Sequence, residues 1–276
     1  MRVGLVGRNG SGKSTFLKAI KNSSLLDSGS ISILKDFKVG YMPQEVVLNS
    51  NQSILEETLN AFEKTKKIKD RLQALESNLS KATESELTEY YNLQEQITQI
   101  DSEKEKVKAI KILNGIGFKE DQFDQPVSNL SVGWKMRIVL AKLLLQEADF
   151  YLFDEPTNHL DLIAKEWFLS FLNENSFGFL LVCHEKYFLD QLCNQTFELD
   201  RGNGKIFKGN YSNYIEQKEE DLVRLQNAYL NQQKEIKRKQ ETINKFRAKS
   251  SKARMAQSMI KSLEKILTPD NSQKTP

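Results

Sequence analysis

The chain has 276 residues, of which 39% are hydrophobic and 28% charged, an ordinary composition for a soluble protein of one large or two modest domains. No apolar run approaches the length of a membrane span, and the N-terminus lacks the features of a secretory signal, so we expect no membrane partner. Two cysteines, Cys183 and Cys193, exclude a disulfide framework and favour free thiols in a reducing, cytoplasmic setting.

The net charge of +3 conceals an asymmetry along the chain. Residues 234–276 contain 12 Lys and Arg against 4 Asp and Glu, whereas residues 1–233 contain 28 against 33. A basic segment that follows a mildly acidic body is typical of a protein whose tail meets an anionic partner.

The first elements predict a phosphate-binding loop. A strand, RVGLV, precedes the helix-like STFLKAI, and two further strand-like stretches, SISIL and KVGYM, flank an Asp-Phe turn. Between the first strand and the helix, residues 7–14 (GRNGSGKS) satisfy the pattern G-x-x-x-x-G-K-[ST]. Its glycines let successive backbone N–H groups point at phosphate oxygens, and the helix N-terminus adds partial positive charge.

Two side chains of this loop have predicted roles. Lys13 can reach the β- and γ-phosphates of a nucleotide, and the Ser14 hydroxyl can ligate Mg²⁺. Glycine-rich loops also arise by chance, although rarely with the full pattern between a strand and a helix. The residues predicted to bind the nucleotide here are Gly7, Asn9, Gly10, Ser11, Gly12, Lys13, Ser14 and Thr15.

The stretch from Ile54 to Ile112 contains neither Gly nor Pro and is rich in Leu, Glu, Gln and Lys, which predicts helix. Apolar residues recur at three- and four-residue steps on two segments, joined by the polar SKATESE (80–86). We expect an antiparallel hairpin whose first helix runs from about 56 to 79 and is roughly 35 Å long. An ordinary bundle is the alternative. The seam residues are Ile68, Leu72, Leu75 and Leu79, then Leu93, Ile97 and Ile100.

From Val127 to Asp200 strand-like and helical stretches alternate again, which predicts α/β architecture with parallel strands. One strand-like run ends directly at Asp154 and Glu155, and the next is followed by His184. Ligands of open α/β sheets bind at the carboxyl ends of strands. We therefore expect Asp154 to hold Mg²⁺ and Glu155 to polarise an attacking water as general base. Helix-capping carboxylates and a structural histidine are the alternatives.

Beyond Tyr214 the composition is almost wholly helical, and residues 243–265 carry cations mostly at two- or three-residue steps. Cations spread around a helix contact phosphates without reading base sequence, so RNA is a candidate partner. A solvated face or a coiled-coil surface is the alternative. The cations are Lys245, Arg247, Lys249, Lys252 and Arg254.

Five stretches, taken in order, resemble an ATP-binding-cassette domain from end to end. They are GRNGSGKST, YMPQ, LSVGW, FYLFDEPTNHLD and LLVCHEKYFLD. The resemblance implies an α/β P-loop NTPase fold that binds and hydrolyses ATP with Mg²⁺. It implies that Gln44 and His184 sense the γ-phosphate and the metal, and that Asp161 communicates across a cassette dimer. Ser131 and Gly133 match the signature residues that contact ATP held by the opposing cassette.

Further features resemble the ABC-F branch of this family. Trp134 followed by Lys-Met-Arg stands where transporters typically have Gln, and the phrase DEPTNHLD is also similar to that branch. The predicted hairpin lies between Gln44 and Ser131, as the ABC-F arm does, and residues 243–265 resemble the linker of YheS-like bacterial members. The resemblance implies a soluble protein with two cassettes that binds the ribosome near the tRNA exit site, its linker reaching toward the P-site tRNA.

The expected organisation is a first cassette at 1–215, with a helical arm inserted at about 54–112, followed by a basic helical linker at 216–276. The implied Mg²⁺ ligands are Ser14, Gln44 and Asp154. Because the segment before Gly7 is short and residue 276 lies soon after the linker, we expect the adenine-stacking aromatic residue of the family and its second cassette to be absent. In this family each ATP is hydrolysed between two cassettes. We therefore expect a fragment that hydrolyses ATP weakly alone and needs a homodimer or a partner cassette.

Two other functions stay open. The first is the ATPase subunit of a membrane transporter, against which stand Trp134, the helical arm and the basic tail. The second is a truncated RNA-binding protein that does not cycle ATP. Val132 favours the latter, because a β-branched residue where the family usually has Gly restricts the backbone and would weaken the contact made through Ser131.

Overall fold

The computed structural model describes residues 1–77, 83–100 and 102–247, together with Ser258 and Ile260. Its contacts divide the chain into two compact units, Met1–Tyr214 and Ile215–Pro276. No helix in the described part of the chain is long and apolar enough to cross a membrane. Cys183 and Cys193 are buried free thiols, as predicted.

A single sheet of six strands organises the described part of the first unit. The strand order is β2-β3-β4-β1-β5-β6, and all neighbouring pairs are parallel except β5 and β6. The parallel α/β architecture is therefore confirmed. The strands are β1 (Arg2–Val6), β2 (Val39–Met42), β3 (Phe150–Asp154), β4 (Gly178–Val182), β5 (Gln195–Asp200) and β6 (Asn203–Lys208).

Helices cover both faces of this sheet, and alternate strand residues explain how. Leu152 and Leu180 pack with Leu17 of the first helix in one apolar cluster, whereas Phe153 and Phe179 belong to a larger cluster on the opposite face. The α-helices of the described residues are α1 (Lys13–Lys21), α2 (Ile54–Leu59), α3 (Glu63–Glu76), α4 (Glu84–Gln99), α5 (Ser102–Gly115), α6 (Val132–Leu145), α7 (Leu162–Glu174), α8 (Lys186–Leu192) and α9 (Tyr211–Arg247).

The predicted strand SISIL is wrong: residues 30–34 form no strand and pair with nothing in the sheet. Ile33 and Leu34 are exposed, so this apolar alternation does not mark a buried face. The turn after it, at Lys35 and Asp36, and the strand that follows as β2 are both present.

The first predicted arm helix is also wrong in its extent, because the chain breaks between α2 and α3. Ser53 and Glu56 form a capping box at the start of α2. Asn60 is the C-cap residue of this helix, and its side chain donates to Gln52 Oε1 (2.6 Å). With 14 residues, α3 spans only about 21 Å at the usual helical rise. Leu79 lies outside the described residues.

The second arm helix, α4, begins inside the predicted polar turn. Thr83 caps it with Glu86, so Glu84–Glu86 are its first turn, whereas residues 80–82 are not described. Helix α3 faces α4 across a two-bond ion pair in which Arg71 Nε and Nη2 donate to Glu89 at 2.8 and 2.7 Å. The seam residues Ile68 and Leu75 are buried, in keeping with the hairpin interpretation.

In the second unit, α9 continues to Arg247, and its Ile236 and Ile243 form a small apolar cluster with Ile260. Lys245 is exposed. The predicted cations Lys249, Lys252 and Arg254 lie outside the described residues, so the assignment of 216–276 as a basic linker stays a prediction.

Candidate nucleotide-binding site

The loops that follow β1, β2, β3 and β4 meet at one edge of the sheet. Because these strands run parallel, with Asp154 opposite Val182 and Met42 opposite Phe153, their carboxyl ends lie together. This edge holds a cleft of about 420 Å³, a volume within the usual range for small-ligand sites. It is lined by Asn9, Gly10, Gly12, Lys13, Ser14, Thr15, Gln44, Asp154, Glu155, Val182 and His184.

The glycine-rich loop after β1 has the geometry that its sequence predicts. Gly10 and Gly12 adopt φ values of 78° and 96°, a left-handed region that glycine enters without steric cost. At Gly7 a Cβ atom would lie 2.3 Å from the Leu199 carbonyl oxygen, so the loop packs against β5 only because this position lacks a side chain. Gly7 and Ser11 belong to the loop but do not line the cleft, and the Ser11 hydroxyl is buried.

Helix α1 begins at Lys13, directly after the loop. Its cap residue, Gly12, has no side chain to take up the N–H groups of the first turn, which keeps them available to an anion. The Lys13 ammonium group donates to the carbonyl oxygens of Gly7 (2.9 Å) and Arg8 (3.3 Å) and so lies across the loop. Backbone N–H groups, a helix N-terminus and an ammonium group therefore converge on one side of the cleft.

Two buried carboxylates line the same cleft. Asp154, at the end of β3, is 2% exposed and Glu155 is 6% exposed. Asp154 Oδ2 and Glu155 Oε2 find no hydrogen-bond donor among the described residues. A buried carboxylate oxygen without a partner is costly, so this arrangement favours a cation or a hydrogen-bond donor in the cleft.

The residues present fit Mg²⁺. Mg²⁺ takes oxygen ligands and is usually held by one or two carboxylates together with substrate phosphates. The cleft offers the unpartnered Asp154 oxygen, the Ser14 hydroxyl and the Gln44 amide oxygen, the three predicted ligands.

Glu155 is held in a strained and specific position. Its backbone has φ of 54°, unusual for a residue with a side chain, and its N–H donates to the Val182 carbonyl oxygen (3.0 Å). His184 Nε2 lies 3.0 Å from Glu155 Oε1. Burial, followed by repulsion from Asp154, raises the pKa of Glu155, although His184 and Lys13 oppose the shift. A carboxyl group with a raised pKa in a cleft is suited to accept a proton.

Tyr41 was missed by sequence reasoning. It lies on β2 three residues before Gln44, and its buried hydroxyl has no hydrogen-bond partner among the described residues. Burial, with a smaller contribution from Asp154, raises the pKa of Tyr41 to about 12. Tyr41 is therefore a neutral, buried hydroxyl whose pKa is influenced by the charge of the candidate metal ligand. The stretch YMPQ contained it, but only its Gln was interpreted.

The remaining predicted site residues lie elsewhere. Ser131, Gly133 and Asp161 do not line the cleft formed by the described residues. Ser131 is exposed and precedes α6 without capping it through its side chain, and Gly133 lies beside His159 in the first turn. Asp161 caps α7 by accepting from the Ala164 N–H (2.9 Å).

Val132 is the first residue of α6, with 63% of its surface exposed. The helical backbone at this position accommodates a β-branched residue. Val132, in place of the Gly usual in the family, therefore changes the exposed surface next to Ser131 rather than the core.

The raised pKa of Glu155 predicts a pH-dependent effect on stability. Because burial disfavours the ionised form of Glu155, its protonated form contributes to the free energy of unfolding. This contribution is fully present below the ordinary pKa of 4.5 and is lost as pH rises through the raised pKa of the folded state. Glu155→Gln removes the ionisation. We expect the melting temperature of the variant to match that of the wild type below the ordinary pKa, to exceed it by a margin that grows as pH rises through the raised pKa of folded Glu155, and to keep that margin at higher pH.

The matched control is Glu103→Gln, at an exposed glutamate of α5, which should show no such trend. Thermal unfolding across this pH range measures both variants. A difference for Glu155→Gln that stays constant or shrinks as pH rises would contradict the assignment.

Comparison with known proteins agrees with this geometry. A family model described as "ABC transporter" matches residues 1–158, and a second model with the same description matches residues 197–276. Among solved structures, the chain is similar to "Structure of ATP binding subunit of ABC transporter", with TM-score 0.56 and 22% identity over 78% of this chain and 81% of that one. At this identity the likeness shows the fold alone.

Sequence relatives are more informative. The chain is 34% identical over 272 residues to "ABC transporter F family member 2" of Arabidopsis thaliana, and 36% identical over 269 residues to "Putative ATP-binding protein YdiF" of Bacillus subtilis. It is also 34% identical over 266 residues to "Probable ATP-binding protein YheS" of Escherichia coli. Each match covers 96% of this chain but only 40 to 42% of the relative, so the chain spans about two fifths of their length.

The cleft, its loop and the order of the motifs thus agree with two family models and with relatives over nearly all of the chain. The chain belongs to the ATP-binding-cassette family, and its resemblance to the ABC-F branch is confirmed.

Proposed function

We propose that the chain binds ATP with Mg²⁺ in the cleft at the sheet edge and hydrolyses it when a second cassette completes the site. The observation that carries this proposal is the convergence in one cleft of Lys13 and the N–H groups of the loop with two buried, partly unpartnered carboxylates. The phosphates would take the N–H groups of the loop and α1, with Lys13 contacting the β- and γ-phosphates. Mg²⁺, held by Ser14, Gln44 and Asp154, would neutralise phosphate charge.

Glu155 is the proposed general base. Its raised pKa and its place beside the phosphate loop suit it to orient a water molecule and take its proton as the γ-phosphate leaves. His184 keeps one Glu155 oxygen occupied, at 3.0 Å, and leaves the other free for that water. Gln44 and His184 follow the two strands that flank β3, and they are the proposed sensors of the γ-phosphate.

The positions of the signature residues support the proposed need for a second cassette. Ser131 and Asp161 are exposed and outside the cleft of their own chain, which suits contact with a nucleotide or a loop on another cassette. The partner is either a second copy of this chain or a cassette on a longer protein. With its own cleft lacking a signature, the isolated chain would bind ATP and turn it over slowly.

The proposed site of action is the cytoplasmic ribosome. The net charge of +8 in residues 234–276 suits contact with RNA phosphates, and the α3–α4 arm and the basic segment are the elements that would contact the ribosome and the P-site tRNA. This part of the proposal rests on the ABC-F resemblance. ATP-driven closure of two cassettes would then regulate translation.

Glu155→Gln should separate ATP binding from hydrolysis. In the assembly with a second cassette, we expect the hydrolysis rate to fall by about 100-fold or more because the proton acceptor is lost. ATP affinity should persist, since Lys13 and the loop are intact. Phosphate release and fluorescent-nucleotide titration measure the two quantities. Glu103→Gln is the control for the loss of a carboxylate, and hydrolysis by Glu155→Gln at the wild-type rate would refute the assigned role.

Ribosome co-sedimentation with and without ATP distinguishes the three candidate functions. We expect Glu155→Gln to be retained on ribosomes with ATP and released without it, because the unhydrolysed nucleotide keeps the cassettes closed. Binding that ignores nucleotide would instead support an RNA-binding protein without an ATP cycle. No binding in either condition would support a transporter ATPase subunit.

A further inference from the structure

Arg137 is a buried cation that joins three separate segments of the cassette. It lies on α6, only 7% exposed, and its Nε donates to the His159 carbonyl oxygen at 2.8 Å. Its Nη1 donates both to the Ile116 carbonyl oxygen at 2.9 Å and to Asp161 Oδ2 at 3.0 Å. A buried charge is tolerated only when it is paired in this way, so the four groups are held together as a unit.

The surroundings of Arg137 fit its guanidinium group closely. The Trp134 ring lies 4.2 Å from the guanidinium carbon, and Phe118 packs on that ring with centroids 4.8 Å apart. At Gly117 a Cβ atom would come within 2.6 Å of Nη1, and the residue has a φ of 99°. The turn after α5 therefore leaves room for the Arg137 side chain because Gly117 lacks a side chain.

This contact connects the cleft to the exposed signature end of the same chain. His159 and Asp161 end a compact loop that starts at Glu155, with internal hydrogen bonds from Asn158 N–H to Glu155 (3.3 Å) and from Leu160 N–H to Thr157 (3.2 Å). Arg137 lies less than two turns along α6 from Ser131. A shift of the loop on nucleotide binding would thus reach the first turn of α6 through Arg137.

We infer that Arg137 is a positioning residue that couples nucleotide occupancy of the cleft to the placement of the signature end, Ser131–Gly133, on the same chain. The inference rests on the proposed binding of ATP in this cleft. Each chain would then present its signature to a partner in a position set by its own nucleotide. The side-chain bonds of Arg137 carry this coupling, since they are the cross-links between α6 and the Glu155–Asp161 loop described above.

Hydrogen–deuterium exchange of the whole chain, with and without Mg²⁺ and AMP-PNP, tests this coupling. In the wild type we expect the non-hydrolysable nucleotide to slow exchange in three places: the glycine-rich loop, the Glu155–Asp161 loop and the first turn of α6. In Arg137→Met we expect protection of the two loops to remain and the nucleotide-dependent change in α6 to be lost. Nucleotide affinity should change by less than about twofold, because Arg137 does not line the cleft.

Two further variants keep the test decisive. Arg2→Met is the matched control: Arg2 also donates three hydrogen bonds, to Asn173 Oδ1, Asn173 O and Asn175 O, but lies off the proposed path, so coupling should be retained. Arg137→Lys keeps the buried charge but carries its donors on one nitrogen, so it cannot reproduce the separate Nε and Nη1 positions that bind His159 and Asp161. It replaces Arg137→Met if that variant fails to fold. We expect it to lose most of the nucleotide-dependent change in α6.

A purely structural role gives a different result. In that case α6 of the variants would exchange faster with and without nucleotide, while the nucleotide-dependent difference would be unchanged, and the inference would be overturned. Failure of the proposed function looks different again, because the wild-type glycine-rich loop would then show no protection by nucleotide.

Discussion

The cassette depends on burying two adjacent carboxylates at the end of β3 without giving them enough partners. Asp154 and Glu155 are almost wholly buried, and one oxygen of each finds no donor among the described residues. Burial of a charged carboxylate without enough partners is energetically unfavourable. These two carboxylates nevertheless lie in the same cleft as a loop and a helix N-terminus that attract anions. The site is thus prepared for a ligand that carries both signs of charge, as a metal-bound polyphosphate does.

The parallel sheet makes that preparation possible. Because β1 to β4 all end at one edge, residues far apart in sequence, from Lys13 to His184, line one cleft of about 420 Å³. The same strand that ends in Asp154 leads into the Glu155–Asp161 loop, and the left-handed backbone of Glu155 turns the chain there. Through Asp161 and His159 this loop reaches Arg137, so the cleft and the signature end are mechanically connected within one chain.

Local patterns allowed much of this to be predicted from the sequence. The glycine-rich loop, the strands before Asp154 and His184, and the arm hairpin each depend on residues close together, so a motif or a periodicity reveals them. The SISIL stretch has the alternation of a strand but no partner in the sheet. The break at residues 60–62 has no Gly or Pro to mark it in the sequence. Arg137 and Tyr41 could not be assigned because their importance comes from distant groups, Asp161 and Asp154, that only the fold brings near.

The central claim is that this cleft binds the phosphates of ATP together with Mg²⁺. Calorimetric titration of the chain with ATP, in the presence and absence of Mg²⁺, tests it most directly when repeated with Lys13→Ala and Asp154→Asn. The account predicts that Lys13→Ala abolishes binding, and that Asp154→Asn removes most of the Mg²⁺-dependent gain in affinity. ATP binding by Lys13→Ala with wild-type affinity, or a Mg²⁺ effect of unchanged size in Asp154→Asn, would contradict it.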